Sequence, residues 1–407
     1  MKLKPIIASP METDAYKLSM GQVIFHQFPT YKTTWSFKCR NKNVEFTPEM
    51  IQEISDQIDA YCKLRFKESE LTWLKKNLPW ISEDYIDFLR FWHPRREEIF
   101  VNAVDTLAYA DDGCGLTIEA RGTWLNTSMY EIAILAIVNE VYFAFKYGAG
   151  AKDIEFQKKT MEKFDLLKAG EYDIGTFSEF GLRRRYSGAM QDWLVKYITA
   201  EKIPGFVGTS NVYLAKKYGV KAVGTQAHEF IMCVGQGTHC WNPAYSNKFA
   251  LDAWIKEYGV ANGIALTDTI TTDCFLLDFS QSCATLFSGV RHDSGDPIEW
   301  GEKMLAHYKK LGIDPKLKTL LFSDSLNFEK ATKIRKNFKD RVNVAFGIGT
   351  YLSNPLDDPL NIVMKVTECN GAPVAKISDC EGKSMCKDDE YVAYLKRAID
   401  WRLRHEK

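Results

Sequence analysis

The run Gly289-Val-Arg-His-Asp-Ser-Gly-Asp296 is the densest group of reactive side chains in the sequence. Arg291 offers a rigid fork of donors that matches a carboxylate or a phosphate. Asp293 can accept from a pair of sugar hydroxyls or help hold magnesium; an internal salt bridge between the two is the competing use. Asp296, before Pro297, reads as a helix N-cap. In Phe322-Ser-Asp-Ser-Leu-Asn327, Asp324 follows an apolar run. It suits a hydroxyl or metal ligand, or Asp324 and Ser325 merely cap a helix from Asn327. Gly347-Ile-Gly-Thr350 has two glycines that admit a ligand close to the backbone. Its successive amides and the Thr350 hydroxyl can cradle a phosphate, or the segment is an ordinary tight turn. Arg183, Arg184 and Arg185 enter a helix, a poor place for cations unless they face an anion such as phosphate or diphosphate. Which of the three meets substrate is open, and at least one is expected to face solvent. Gly224-Thr-Gln-Ala-His228 sets a histidine behind a Gly-Thr pair, for acid–base work, for nucleophilic attack or for structure alone. The seven histidines form no HxH or HExxH pattern and no CxxC occurs, which disfavours a zinc site. Tyr16, in TDAYKLSMGQ, can stack on a flat ring or pack in the core of an N-capped amphipathic helix.

These groups need elements that bring them together. From about residue 170, seven short apolar runs end in small or polar residues: GTFSEFGLRRR, GFVGTSN, AVGTQAHEF, GIALTDT, FSGVRHDSGD, TLLFSDSLN and NVAFGIGT. Helical patterns at Ser187–Thr199, Pro297–Leu311 and Asn327–Phe338 lie between several of them. Alternating strands and helices predict a parallel α/β architecture, and seven units suit a barrel better than an open sheet. The polar residues then sit on the C-terminal rim, where loops from different strands converge. The first 150 residues mix patterns. Strands are predicted at 31–40 and 115–125, helices over 47–100 with Thr47 as cap, and a long apolar helix at Tyr130–Phe145. NIVMKVTEC, from 361, predicts one more strand, and Asp388–Arg404 an exposed amphipathic helix.

Composition sets outer limits. Apolar residues make up 45% and aromatics 13% of 407 residues, which excludes a disordered chain. Fifty-three basic residues balance fifty-three acidic ones, which argues against a generic nucleic-acid coat or a membrane-surface binder. The apolar run Ile132–Val138, between Glu131 and Glu140, reads as a buried helix and not a membrane span. The N-terminus has no long apolar stretch, so no secretory signal is expected. Ten scattered cysteines suit reduced, mostly buried thiols of a cytoplasmic protein.

Taken in order, TDAYKLSMGQ, SEFGLRRR, FVGTSN, GTQAHEF, LTDT, GVRHDSGDP, FSDSLN and GIGT resemble the nicotinate phosphoribosyltransferase family, in its bacterial branch. The resemblance runs from residue 13 to about 350, and the strand near 361–369 fits it. It implies a type II phosphoribosyltransferase fold: an irregular α/β barrel, 151–369, beside an α+β domain, 1–150, joined by about 370–407. It implies joining nicotinate to 5-phosphoribosyl 1-diphosphate, giving nicotinate mononucleotide and diphosphate, with ATP hydrolysis coupled through a transient phosphohistidine. By motif, His228 matches the phosphorylated histidine. Thr225, Arg291 and Tyr16 match nicotinate contacts, Gly349 and Thr350 the phosphate cradle, and Asp293 the ribose-hydroxyl ligand. Arg183 and Asp324 match as further substrate-binding groups. The family implies ATP and magnesium as cofactors and no dedicated protein metal site. It also implies a homodimer with sites at the subunit boundary, the tyrosine coming from the partner; neither nucleic acid nor membrane is an expected partner. The alternatives are a nicotinamide phosphoribosyltransferase and, in another class, a non-catalytic phosphoribosyl-diphosphate-binding protein on the same fold. A quinolinate enzyme is disfavoured, since its dicarboxylate wants more basic residues.

Overall fold

The computed structural model describes residues 2–103, 114–224, 226–237, 242–380 and 386–406. Two sheets organise the chain. The first is antiparallel, with β1 (Lys32–Cys39), β2 (Ile99–Ala103), β3 (Leu116–Thr123), β11 (Ile362–Cys369) and β12 (Ala372–Pro373) in the order β12-β11-β1-β3-β2. The second is parallel and carries β4 (Thr176–Glu179), β5 (Phe206–Thr209), β6 (Lys221–Ala222), β7 (Ile264–Leu266), β8 (Gly289–His292), β9 (Thr319–Phe322) and β10 (Asn343–Ile348). Its order is β6-β5-β4-β10-β9-β8-β7. All seven apolar runs therefore contribute a strand to it. The edge strands β6 and β7 do not pair, so the sheet curls into a half-barrel, the irregular α/β barrel expected from sequence.

Local chemistry explains the elements. In β1 the β-branched and aromatic residues of KTTWSFKC pair with β3 on one side and β11 on the other, and Trp35 is buried between Ala120 and Val366. The helix Pro48–Cys62 opens on Thr47, whose side chain accepts from the Met50 amide. Asp296 caps Pro297–Lys310 through the amides of Ile298 and Glu299. The helix Tyr130–Tyr147 is apolar nearly all round and buried over most of its length, as a core helix must be. The run Trp124–Tyr147 is long and apolar enough to cross a membrane, yet 89% of its most apolar window is buried inside the chain.

Several details differ from the sequence reading. β11 pairs antiparallel with β1, so the antiparallel sheet takes in a strand that the sequence division gave to the barrel. The AVGTQAHEF run yields only a two-residue strand; a helix, His228–Gln236, begins at the histidine itself. His228 thus sits in a first helical turn and not at a strand end. The cause is the apolar continuation FIMCV, whose side chains are all buried when wound as a helix. The tyrosine helix, Ala15–Gln27, is not amphipathic, because its first ten residues are all buried. Asp14 stands at its N-cap position but takes the Ser210 hydroxyl at 2.6 Å instead of capping it. The C-terminal helix, Asp389–His405, is less exposed than its pattern suggests. Leu395, Ile399 and Arg402 are buried near Ile270 and Cys274, and Arg402 pairs with Asp278 at 2.8 Å.

Candidate active site

Because the second sheet is parallel, all its strands end on one side, and the polar residues after them share a rim. On β8 successive side chains alternate faces. His292 is buried against Trp300 and Phe322, which leaves Arg291 and Asp293 on the opposite face. After β7, the buried Asp268 meets His228 across the unpaired gap between β6 and β7.

His228 is the hub. Its Nε2 lies 2.9 Å from Asp268 Oδ1, 2.8 Å from Lys376 Nζ and 3.6 Å from Asp293 Oδ2. Lys376 also donates to Asp268 Oδ2 at 2.8 Å, and that oxygen takes the Ser294 hydroxyl at 2.5 Å. Asp293 accepts from Ser323 Oγ at 2.8 Å. Burial and the Lys376 ammonium push the His228 imidazole below its usual range against the pull of Asp268, so it is neutral at pH 7. Burial opposes the charge on Asp268, but the Lys376 ammonium and the hydrogen bonds from Lys376 and His228 outweigh it and hold that carboxylate well below the usual range. Asp293 is likewise held down, against burial, chiefly by the Arg291 guanidinium. The group therefore holds a neutral ring and two carboxylates at pH 7.

A cationic wall faces this group. Burial and the charges of Arg40 and Lys376 press the Lys365 amine down to about 7. Burial, Arg183 and Arg40 press Arg184 down to about 10, and its Nε donates to the Ile362 carbonyl at 3.1 Å. The three consecutive arginines separate in role. Arg185 is sealed in the interior on Glu12 and Glu140 and is structural. Arg184 is partly buried against β11. Arg183 is half-exposed, with Glu131 Oε1 3.5 Å from its Nη1.

The phosphate-cradle candidates end β10, between the ends of β4 and β9. Gly347 has no room for a side chain, since a Cβ there would lie 2.3 Å from the Phe180 ring. Gly349 precedes the short helix Thr350–Ser353, and Ser353 Oγ ties that turn to Gly181 through a 2.9 Å bond to its carbonyl. Asp324 is not the cap of the next helix: Asn327 accepts from the Lys330 amide at 2.8 Å. Tyr16 takes the core-packed alternative. It is 8% exposed and lies near Arg183 of the same chain. Gly224 permits this, because a Cβ there would stand 2.5 Å from the Tyr16 amide nitrogen. Thr225 lies outside the described residues. His228, Asp293, Arg291, Arg183, Asp324, Gly349 and Thr350 all occupy one rim or the helix facing it.

Asp268 and Lys376 were not singled out from sequence. Asp268 follows an apolar run in LTDT, the same signal that marks Asp293 and Asp324. Lys376 is the only cation inside the apolar stretch Val374-Ala-Lys-Ile377.

The family model for nicotinate phosphoribosyltransferase matches residues 176–402, and the model of that family's N-terminal domain matches 11–139. The chain belongs to the nicotinate phosphoribosyltransferase family. A nicotinate phosphoribosyltransferase of Chromobacterium violaceum is 40% identical over 406 residues, covering 98% of each chain. One of Ralstonia nicotianae is 41% identical over 396 residues, covering 97% of this chain and 99% of its own. The crystal structure of the nicotinate phosphoribosyltransferase of Vibrio cholerae superposes with a TM-score of 0.90 at 34% identity, over 97% of this chain and 94% of that one. That of Porphyromonas gingivalis gives 0.87 at 34%, over 97% and 100%.

Proposed function

We propose that this chain makes nicotinate mononucleotide and diphosphate from nicotinate and 5-phosphoribosyl 1-diphosphate, for NAD salvage, with ATP hydrolysis coupled through a phosphohistidine at His228. Family membership supports the transferase reaction. The observation that carries the coupling is the neutral His228 imidazole, whose Nε2 lies 2.9 Å from Asp268 Oδ1 while Lys376 donates to the other oxygen of that carboxylate.

The pyridine nitrogen of nicotinate is already a nucleophile and needs no base. Displacing diphosphate from the anomeric carbon builds positive charge on the ribose, which the carboxylate of Asp293 favours. The diphosphate leaves among Lys365, Arg184 and Arg40, with Thr350 and Gly349 on the 5-phosphate. Arg291 and Arg183 favour an anionic base, hence nicotinate over nicotinamide. His228 is then free for a second task. Asp268 accepts the Nε2 proton, which leaves the Nδ1 lone pair to attack the terminal phosphorus of ATP; the bond to ADP breaks, and water later releases phosphate from the ring. The position of His228 at the start of the helix His228–Gln236 suits the added negative charge.

Magnesium prefers oxygen donors and usually takes one or two carboxylates plus substrate phosphates. Asp293 and Asp324 fit that role. The full group of His228, Asp268 and Asp293, whose ligand atoms lie within 4.8 Å of one another, fits it less well, since one donor is nitrogen and the Lys376 ammonium already stands against two of the three. Magnesium there would neutralise diphosphate charge. A cytoplasmic homodimer belongs to the proposal through the resemblance. The nine cysteines of the described residues, all free thiols, accord with a reducing compartment.

Three results test this reading. With nicotinate and nicotinamide offered at equal concentration, nicotinate mononucleotide is the expected product; preference for nicotinamide would reassign the substrate. Arg291→Ala is expected to raise the KM for nicotinate roughly 10- to 100-fold, the loss of a charge-assisted hydrogen bond, with little change for ATP. Equal effects on both would remove its assigned role. Thr350→Ala should weaken phosphoribosyl diphosphate binding by roughly 3- to 10-fold in an equilibrium titration, and an unchanged affinity would remove that contact.

A further inference from the structure

The residues next in sequence to Tyr16 and His228 are joined to each other. Lys17, whose side chain has no exposed surface, contacts Glu229 and lies 2.7 Å from Glu131 Oε2. Glu229 follows His228 in the same helical turn and also takes the Ser128 hydroxyl. Glu131, at the start of the long core helix, reaches Arg183 with its other oxygen at 3.5 Å. The Lys17 ammonium stands 4.9 Å from the centre of the Trp35 ring. One buried ammonium therefore links the helix that carries Tyr16, the helix that carries His228 and, through Glu131, the Arg183 guanidinium.

Stability is a poor account of such a cluster. Taking one ammonium and two carboxylates out of water is costly, and well-packed apolar replacements often fold as well or better. What a charged triad adds is direction. Apolar contact between two helices tolerates sliding, whereas an ammonium shared between two carboxylates fixes where each one stands. Of the groups reached here, Arg183 is assigned to base binding and His228 to phosphoryl transfer, and β10 with its phosphate cradle is not among the elements fixed.

We propose that Lys17 is a positioning residue which, through Glu229 and Glu131, holds His228, Tyr16 and Arg183 in one geometry. The proposal rests on the reading that these three groups serve one reaction. It is tested with Lys17→Met, which leaves two buried carboxylates facing each other, and with the charge-balanced pair Lys17→Met/Glu229→Gln. Melting temperature, kcat and the KM values for nicotinate and phosphoribosyl diphosphate are measured for each in the full chain. Lys17→Met is expected to melt lower and the balanced pair to regain most of that loss. In the balanced pair the KM for nicotinate should rise at least about tenfold and kcat fall, while the KM for phosphoribosyl diphosphate stays within about twofold, because misplacement of about 1 Å is enough to cost orders of magnitude. A balanced pair with wild-type constants, an equal rise in both KM values, or failure of both variants to fold would overturn the proposal and leave the triad a structural one. Absence of nicotinate-dependent diphosphate release from the wild type would instead overturn the functional reading beneath it.

Discussion

His228→Ala is expected to abolish acid-labile label from terminally labelled ATP and to remove all stimulation of mononucleotide synthesis by ATP, while a slow ATP-independent synthesis persists. The substitution takes away the nucleophile and little else. Lys376 and Asp268 remain paired at 2.8 Å, so no buried charge is stranded. Arg291, Asp293, Gly349 and Thr350 hang from strands of the parallel sheet and do not depend on the ring for their placement. Synthesis and phosphoryl capture should therefore separate cleanly in this variant. The checks are a labelling gel with an acid-wash control and a rate measured with and without ATP. Label retained in the alanine variant would move the phosphosite elsewhere.

Asp268→Asn keeps the volume of the side chain but reverses its hydrogen bonding. An amide can donate to Nε2, which would shift the ring proton to Nδ1 and remove the lone pair that attacks ATP; it would also leave the buried Lys376 without its counter-charge. Label incorporation should slow on the order of 10³-fold, the size expected when an acid–base partner holds the wrong tautomer. Nicotinate affinity should stay within about twofold, since Asp268 is assigned no contact with the base. In the wild type, burial and Lys376 keep His228 neutral below the usual imidazole range. Its labelling rate should therefore stay flat as pH falls through about 6.5 and drop only below it. A labelling rate near wild type for Asp268→Asn, or a wild-type decline already centred on 6.5, would contradict the assigned roles.

Much of this site was legible from one rule: in a parallel sheet, a polar residue just after an apolar run lies on the functional rim. The rule places Arg291, Asp293, Asp324, Gly349 and Thr350, and it would have placed Asp268 had LTDT been read the same way. It fails at His228, where a helix begins at the histidine itself in place of the anticipated strand end. Whether FIMCV winds or extends is decided by tertiary burial on all its sides, which periodicity does not report. The arginine triplet shows another limit. Arg183, Arg184 and Arg185 are alike in sequence, and only packing against Glu12, Ile362 and Glu131 sends one inside, one against β11 and one half into solvent. Lys376 and Lys365 come from a segment far from the barrel motifs that returns to the antiparallel sheet beside β1, so nothing in spacing ties them to His228.

The most direct measurement supplies the purified chain with nicotinate, 5-phosphoribosyl 1-diphosphate and magnesium, with and without ATP, and follows mononucleotide and diphosphate together. We predict equimolar nicotinate mononucleotide and diphosphate in both cases, faster with ATP. No nicotinate-dependent release of diphosphate under either condition would contradict the account.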